Sequence, residues 1–313
     1  MLHAANQDLP CLAGVGMRPR QLFDTELGAR IAGYERVGLA TMAEIVLGQQ
    51  LAKEHSAVDW SRRPLPEPWL RYAALDVEIL VDLRDALERE LERQGKLTWA
   101  REEFGHVLGA EPAPPRTDPW RRTSGIHRLR TRRQLGIVRA LWTARDAMAR
   151  ERDIAPGRLL PDSAIVAAAA AAPQSAESLG RLPGWGGKAT RRLVPLLWPA
   201  VEAALAEPDA DLPRPALPGD GPPPASRWPD RDPSAAARLA RARAAVSAIA
   251  AEHGLPIENL LSPDLVRRLA WTPPEPLTED AVAATLRASG ARDWQVAETG
   301  AALAEALRAD DDA

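Results

Sequence analysis

The sequence predicts a mixed α/β segment followed by two all-helical ones, and three observations carry this reading. Residues 1–108 combine a short apolar segment, Leu22-Phe23, with stretches of helical spacing. From about residue 124 the pattern is helical throughout. Two proline-rich stretches, 109–126 and 207–233, divide the chain. At 313 residues it exceeds the usual domain of roughly 100–150 residues, so two or three domains are expected.

In order along the chain, Leu22-Phe23 precedes Asp24-Thr25, and helical periodicity follows in Leu27 and Ile31 and again in Leu39, Met42, Ile45 and Val46. A long helix is predicted from about Pro66 to Gln94. Pro66 suits its first turn, Leu70, Ala73, Ala74, Val77, Leu80 and Val81 form one apolar stripe, and Gly95 is a C-cap. The first linker, 109–126, holds Pro112, Pro114, Pro115 and Pro119. The first helical segment, 127–206, has loops at Pro156-Gly157, Pro161 and Pro183-Gly184-Trp185-Gly186-Gly187. The second linker, 207–233, carries nine prolines and few groups able to bury surface, which predicts a semi-rigid, partly extended connection. Residues 234–307 are helical again, and 308–313 form an acidic tail with Asp310, Asp311 and Asp312.

The helical segments echo each other. Met148-Ala149-Arg150-Glu151, then Ile154, Pro156, Leu159-Leu160 and Asp162, correspond to Ile249-Ala250-Ala251-Glu252, then Leu255, Pro256, Leu260-Leu261 and Asp264. The offset far exceeds a solenoid repeat and reads as a duplicated domain.

A formal charge of −3 does not suggest a nucleic-acid protein, but the distribution does. Between Pro114 and Arg158 there are twelve arginines against Asp118, Asp146, Glu151 and Asp153. The single cysteine, Cys11, excludes an intramolecular disulfide, and no Cys/His cluster has zinc-like spacing. No apolar run approaches the roughly 20 residues that span a bilayer, and the start lacks signal-peptide regions. A cytoplasmic protein with no membrane partner is expected.

For chemistry, Tyr72 and Asp76 lie four residues apart and share one helix face. They fall between Ile79 and Leu83, away from Arg71, Glu78 and Asp82. A carboxylate flanked by apolar residues is costly unless a cation, a metal or hydrogen bonds compensate it. A metal ligand with a tyrosine one turn earlier is one solution; an Asp hydrogen-bonded to a neighbouring loop is the other.

Beyond the helix, His3-Ala4-Ala5-Asn6-Gln7-Asp8-Leu9-Pro10-Cys11-Leu12 resembles the second exonuclease motif of the DEDD superfamily. Tyr72-Ala73-Ala74-Leu75-Asp76 resembles its third motif in the tyrosine-bearing subclass. Between them, Phe23-Asp24-Thr25, Gly38-Leu39-Ala40, Leu47-Gly48, Lys53, Ser56, Asp59-Trp60 and Arg63-Pro64-Leu65 follow ribonuclease D order. YxxxD alone is a weak pattern; with Asp-Trp-Ser-Arg-Arg-Pro-Leu it is strong. The N-terminal segment is thus similar to the ribonuclease H-like α/β exonuclease domain of the ribonuclease D family.

That resemblance implies two Mg²⁺ or Mn²⁺ ions clamping a scissile phosphate, about 4 Å apart. Asp8 and Asp76 would be metal-binding carboxylates, and Tyr72 would orient the attacking water by hydrogen bonding, since a phenol with a pKa of about 10 is a poor base at neutral pH. The family's other two carboxylates come from an Asp-x-Glu strand upstream of the His3–Asp8 segment. Asp24-Thr25-Glu26 has those letters but follows the second motif, so it reads as a structural decoy. With early strands missing, this chain is expected to be weak or inactive alone.

The helical segments resemble HRDC domains, nucleic-acid-binding modules, more closely at 127–206 than at 234–307. Arg128, Arg130, Arg132 and Arg133 precede or open the first helix, and the Pro183–Lys188 turn leads into Arg191 and Arg192. Gly-rich backbone at a helix start offers N–H groups to phosphate, Lys188 and the arginines add charge, and Trp185 is a stacking candidate. Solvated arginine faces and a Trp185 that plugs the domain are the competing reading. Trp142 and Trp198 sit on apolar stripes and read as core, while His106, His127 and His253 have no assignable partner. The implied substrate is the single-stranded 3′ end of RNA, such as a transfer RNA precursor, with no obligate protein partner evident. The rivals are a non-catalytic nucleic-acid-binding protein and a DNA exonuclease.

Overall fold

The computed structural model describes residues 1–51, 58–111, 114, 116–215 and 221–308. Lys53 and Ser56, Pro112 and Pro115, Pro218 of the second linker, and the acidic tail at Asp310–Asp312 lie outside the described residues.

Along the chain the first helices are α1 (Ala5–Gly14), α2 (Thr25–Ile31), α3 (Leu39–Leu47), α4 (Glu67–Glu78), α5 (Leu80–Arg93) and α6 (Leu97–Gly109). The arginine-rich region forms α7 (Arg132–Glu151), α8 (Pro156–Leu159), α9 (Asp162–Ala171), α10 (Ala176–Gly180), α11 (Lys188–Arg191) and α12 (Val194–Ala206). The last part holds α13 (Trp228–Arg231), α14 (Pro233–Glu252), α15 (Ile257–Leu260), α16 (Pro263–Trp271), α17 (Glu279–Ala288) and α18 (Asp293–Arg308). Among these described residues no helix is long and apolar enough to cross a membrane.

The chain divides into two compact units, Met1–Pro112 with Asp220–Ala313, and Ala113–Gly219. Segments 1–108 and 234–307, expected as separate modules, share one core. Ile31, Leu91 and Phe104 pack with Trp228, Leu239, Val246, Leu269 and Leu303. Close approach requires Gly33: at φ +90° it lies against the Gly254 carbonyl, which an added Cβ would meet at 2.4 Å.

Among the described residues there is no strand. The expected sheet is reduced to a parallel bridge between Leu2 and Asp24, with Leu2 N–H bonded to Phe23 O (3.0 Å) and Thr25 N–H to Leu2 O (2.9 Å). A ladder needs several residues in register, and two bonds do not make one.

The predicted long helix is present but broken at Ile79 into α4 and α5, with Pro66 as N-cap and Pro68 in the first turn. Gly95 follows the end at φ +70°, the left-handed position glycine favours. The expected buried stripe faces out instead. Leu70, Val77 and Val81 are exposed, Val77 to 65%, and α4 has no buried residue. The reason is the opposite face of α5, whose Leu83 and Leu87 are claimed by Ala29, Val37 and Met42 of the α2–α3 region. That packing fixes the rotation of the whole segment, and only Leu80 of the predicted stripe ends up buried.

In the unit Ala113–Gly219, α7 packs on α9 and α12 around Leu135, Leu141, Ile165, Leu179, Trp185 and Leu197. A capping box opens α7: Thr131 accepts from Gln134 N–H and Gln134 reaches back to the Thr131 backbone.

Candidate active site and basic face

The N-terminal motif is held together by Asp24. This buried residue, 4% exposed, accepts from Ala4 N–H (3.0 Å) and Ala5 N–H (2.8 Å) at the start of α1. It also caps α2 through Glu26 N–H (3.0 Å) and Leu27 N–H (3.2 Å). One carboxylate thus satisfies the free amides of two helix starts. Ala4 adopts the left-handed conformation, φ 60°, a strained geometry for alanine that these bonds hold. Asp24 has a structural task, in agreement with its reading as a decoy.

His3 precedes this junction, its Nδ1 2.9 Å from Thr25 Oγ1. Burial lowers its pKa, against the opposing pull of Glu26, Asp24 and Asp76. His3 and Asp76 act on each other electrostatically, each favouring the other's charged form. Asp8 lies exposed in the first turn of α1.

Tyr72 and Asp76 are half-buried on the inward side of α4 and hydrogen-bond each other. Desolvation raises the pKa of Asp76, the tyrosine hydrogen bond only partly opposing it. Desolvation, then the Asp76 charge and hydrogen bond, raises that of Tyr72, so the phenol stays protonated at neutral pH and donates. Among the described residues no three or more His, Cys, Asp or Glu side chains group to hold a metal ion.

The basic face divides into two sets. Arg132 donates to the carbonyls of Ala210, Leu212 and Pro213. Arg133 donates to Ala204 O (3.0 Å), Glu207 O and Asp209 Oδ1 (2.6 Å). Both serve the end of α12 and the chain after it, where helix carbonyls lack intrahelical partners. Arg128, Arg130, Lys188, Arg191 and Arg192 are exposed. Trp185 is fully buried and donates from Nε1 to Ala164 O (2.9 Å), which excludes it as a stacking surface and makes it the plug of the domain. Gly184, at φ +84°, permits this, since a Cβ there would stand 2.8 Å from Ala164 Cβ. Trp142 and Trp198 pack against the same core, as expected.

Several important pairs gave no sequence signal. Glu103, buried in α6, receives Arg292 Nε (2.6 Å) and Nη2 (2.8 Å) and Trp294 Nε1 (2.9 Å). Arg145, buried in α7, reaches Asp162 (2.7 Å) and Leu160 O (2.9 Å). His253, expected without partner, pairs with Glu298 (3.0 Å) and meets Trp99 edge-on. His106 and His127 are exposed.

Residues 1–92 match the family described as 3′-5′ exonuclease, 134–201 the HRDC domain, and 221–307 the 3′ to 5′ exonuclease C-terminal domain. Ribonuclease D of Gluconacetobacter diazotrophicus is 34% identical over 279 residues, covering 87% of this chain and 67% of that protein. The chain belongs to the ribonuclease D family. Ribonucleases D of Granulibacter bethesdensis and Acidiphilium cryptum are each 38% identical, over 68% and 72% of this chain but 54% and 58% of theirs. The chain thus spans about half to two thirds the length of these curated relatives. A solved protein from Bifidobacterium adolescentis, 40% identical, superposes with a TM-score of 0.85 over 98% of this chain and 78% of that one. Escherichia coli RNase D, described as an exoribonuclease involved in structured RNA processing, is 28% identical with a TM-score of 0.61, over 91% of this chain and 78% of its own. The exonuclease match is followed by the HRDC match, and residues 221–307 carry their own family description rather than a second HRDC match.

Proposed function

We propose that this chain is the larger part of a 3′-5′ exoribonuclease of the ribonuclease D type, acting on single-stranded 3′ ends of structured RNA such as transfer RNA precursors in the cytoplasm. The observation that carries the reading is the Tyr72–Asp76 hydrogen-bonded pair on the inward face of α4, electrostatically coupled to His3 of the second motif. Tyr72 keeps its proton and directs it at Asp76, an orienting rather than a basic role. Mg²⁺ or Mn²⁺ at Asp8 and Asp76 follows from the resemblance.

The same reading makes residues 1–108 part of a ribonuclease H-like α/β exonuclease domain and 127–206 an HRDC domain. Residues 234–307 would be a second, HRDC-like one, because Arg132 and Pro233, Pro156 and Ile257, and Asp162 and Pro263 open matching helices, each pair 101 residues apart. Arg128, Arg130, Lys188, Arg191 and Arg192 are the proposed RNA contacts; Arg132 and Arg133 are withdrawn from that role by their carbonyl bonds.

Nucleotide release from a 3′-tailed RNA in Mg²⁺ or Mn²⁺, against an Asp76→Asn control, tests the reading. Release abolished by the substitution establishes the site. RNA binding without release favours the second reading, a non-catalytic binding protein, which the HRDC match and its exposed basic residues also fit.

A further inference from the structure

The Asp-Trp-Ser-Arg-Arg-Pro-Leu segment is not used by the site above, yet it ends up beside it. The Trp60 ring lies 6.3 Å from that of Tyr72 and 5.6 Å from that of Trp69, tilted by 36° and 55°. All three side chains are half-buried, and none belongs to the buried clusters of the described residues. The core tryptophans stand otherwise: Trp185 and Trp228 are fully buried with their indole N–H bonded to backbone carbonyls, and Trp142 and Trp198, though half-buried, pack against the core of their unit.

The turn that presents Trp60 is held on both sides. Asp59 Oδ1 accepts from Ser61 N–H (3.2 Å) and Ser61 Oγ (2.6 Å), and Arg63 Nη1 donates to the carbonyls of Trp60 (2.9 Å) and Arg62 (2.8 Å). Arg62, two residues on in the same turn, is exposed. A held, half-buried aromatic ring with a solvent-exposed arginine in its turn has the chemistry that takes unpaired bases, each of which offers a π-face regardless of sequence.

We propose that Trp60, backed by Trp69 and with Arg62 in its turn, is a stacking subsite for an unpaired nucleobase at the 3′ end of single-stranded RNA, seating that end against Tyr72. This deepens the nuclease reading and rests on it for the meaning of the 3′ end.

The probe is a single-stranded RNA with 2-aminopurine as its 3′-terminal base, titrated with the full chain in EDTA, where no cleavage intervenes. A second probe carries the fluorophore at the 5′ end. The 3′ probe should be quenched more than the 5′ probe. Trp60→Leu, which keeps an apolar filler but removes the π-face, should abolish most of that difference and weaken binding about tenfold. Trp60→Phe should retain it. Trp69→Leu, which leaves Trp60 in place, serves as the second variant should Trp60→Leu melt early, and should reduce the quenching by loosening the ring behind it. Equal quenching of the two probes by the unaltered chain, or quenching unchanged in both leucine variants, overturns the subsite. Metal-dependent nucleotide release is scored separately. Quenching without release leaves base stacking standing and bears only on the nuclease reading, whereas release without 3′-specific quenching removes the subsite alone.

Discussion

The two helical segments of this chain begin on one plan and are stabilised in opposite ways. In both, a 20-residue helix is followed by a one-turn helix and a third helix at the same spacing. In the first, the buried position 145 is an arginine paired with Asp162. In the second, the equivalent residue 101 positions on is Val246, equally buried, and Asp264, the counterpart of Asp162, pairs instead with Arg267 and Arg268 of its own helix. The first segment forms its own unit with an exposed basic edge. The second is joined to the N-terminal segment by the Glu103–Arg292–Trp294 cluster, the stacked Trp99 and Trp294 rings 4.8 Å apart, and Lys96 Nζ bonded to His253 O (2.6 Å). Helices laid out at the same spacing can thus use their polar residues inside one segment or between one segment and a neighbour.

The strongest way to break this contrast is Glu103→Ala. It leaves the Arg292 guanidinium and the Trp294 indole N–H without their shared acceptor, and removing one partner of a buried pair costs about 3–5 kcal/mol. Hydrogen exchange should show α6 and α18 losing protection while α7, α9 and α12 keep theirs. Equal loss in both units would mean that the cluster is not local to the joined segment.

Arg145→Met should cost the first unit about 2 kcal/mol, because Asp162 loses its partner in a partly buried setting. The double change Arg145→Met with Asp162→Ala imitates the apolar solution of the second segment and should recover most of that loss in urea denaturation. No recovery would show that the pair is worth more than an apolar replacement.

Much of this contrast was legible in the sequence, and the illegible part has a pattern. Helical periodicity and proline breaks located the helices, the echo between 148–162 and 249–264 pointed to the matching helix starts, and the wheel put Tyr72 and Asp76 between Ile79 and Leu83, away from Arg71, Glu78 and Asp82. Local spacing cannot choose between two apolar faces, so Leu70, Val77 and Val81 were expected inside; the partners that decide, Ala29, Val37 and Met42, lie far away in sequence. Glu103 and Arg292, 189 residues apart, leave no periodic trace at all. Arg132 and Arg133 look like Arg128 and Arg130 as letters, and only the returning chain at 204–213 separates them.

A smaller effect separates the units by pH. In α5, Arg93 and Gln94 donate to Glu90 and hold its pKa down to about 2, from 4.5. Its folded-state pKa lies below the unfolded one, so this stabilisation is complete above about pH 4.5 and is lost as pH falls toward 2. Discounted for its partly exposed partners, the effect is about 1 kcal/mol. Glu90→Gln should flatten the acid limb of stability for the unit containing α5 and leave that of Ala113–Gly219 unchanged.

The finest distinction is among arginines of the basic unit itself. Arg191→Ala removes an exposed cation with no bond to the fold, so it should lower affinity for single-stranded RNA about threefold and reduce the salt dependence of binding by somewhat less than one charge. Melting of the unit should be unaffected. Arg133→Ala should do the reverse: it strips donors from Ala204 O, Glu207 O and Asp209, lowers stability, and leaves the salt slope nearly as it was. Filter binding at several salt concentrations, run beside thermal melts of both variants, measures both quantities. An Arg133→Ala variant that loses slope without losing stability would move the RNA-contacting edge onto the α12 end of the unit.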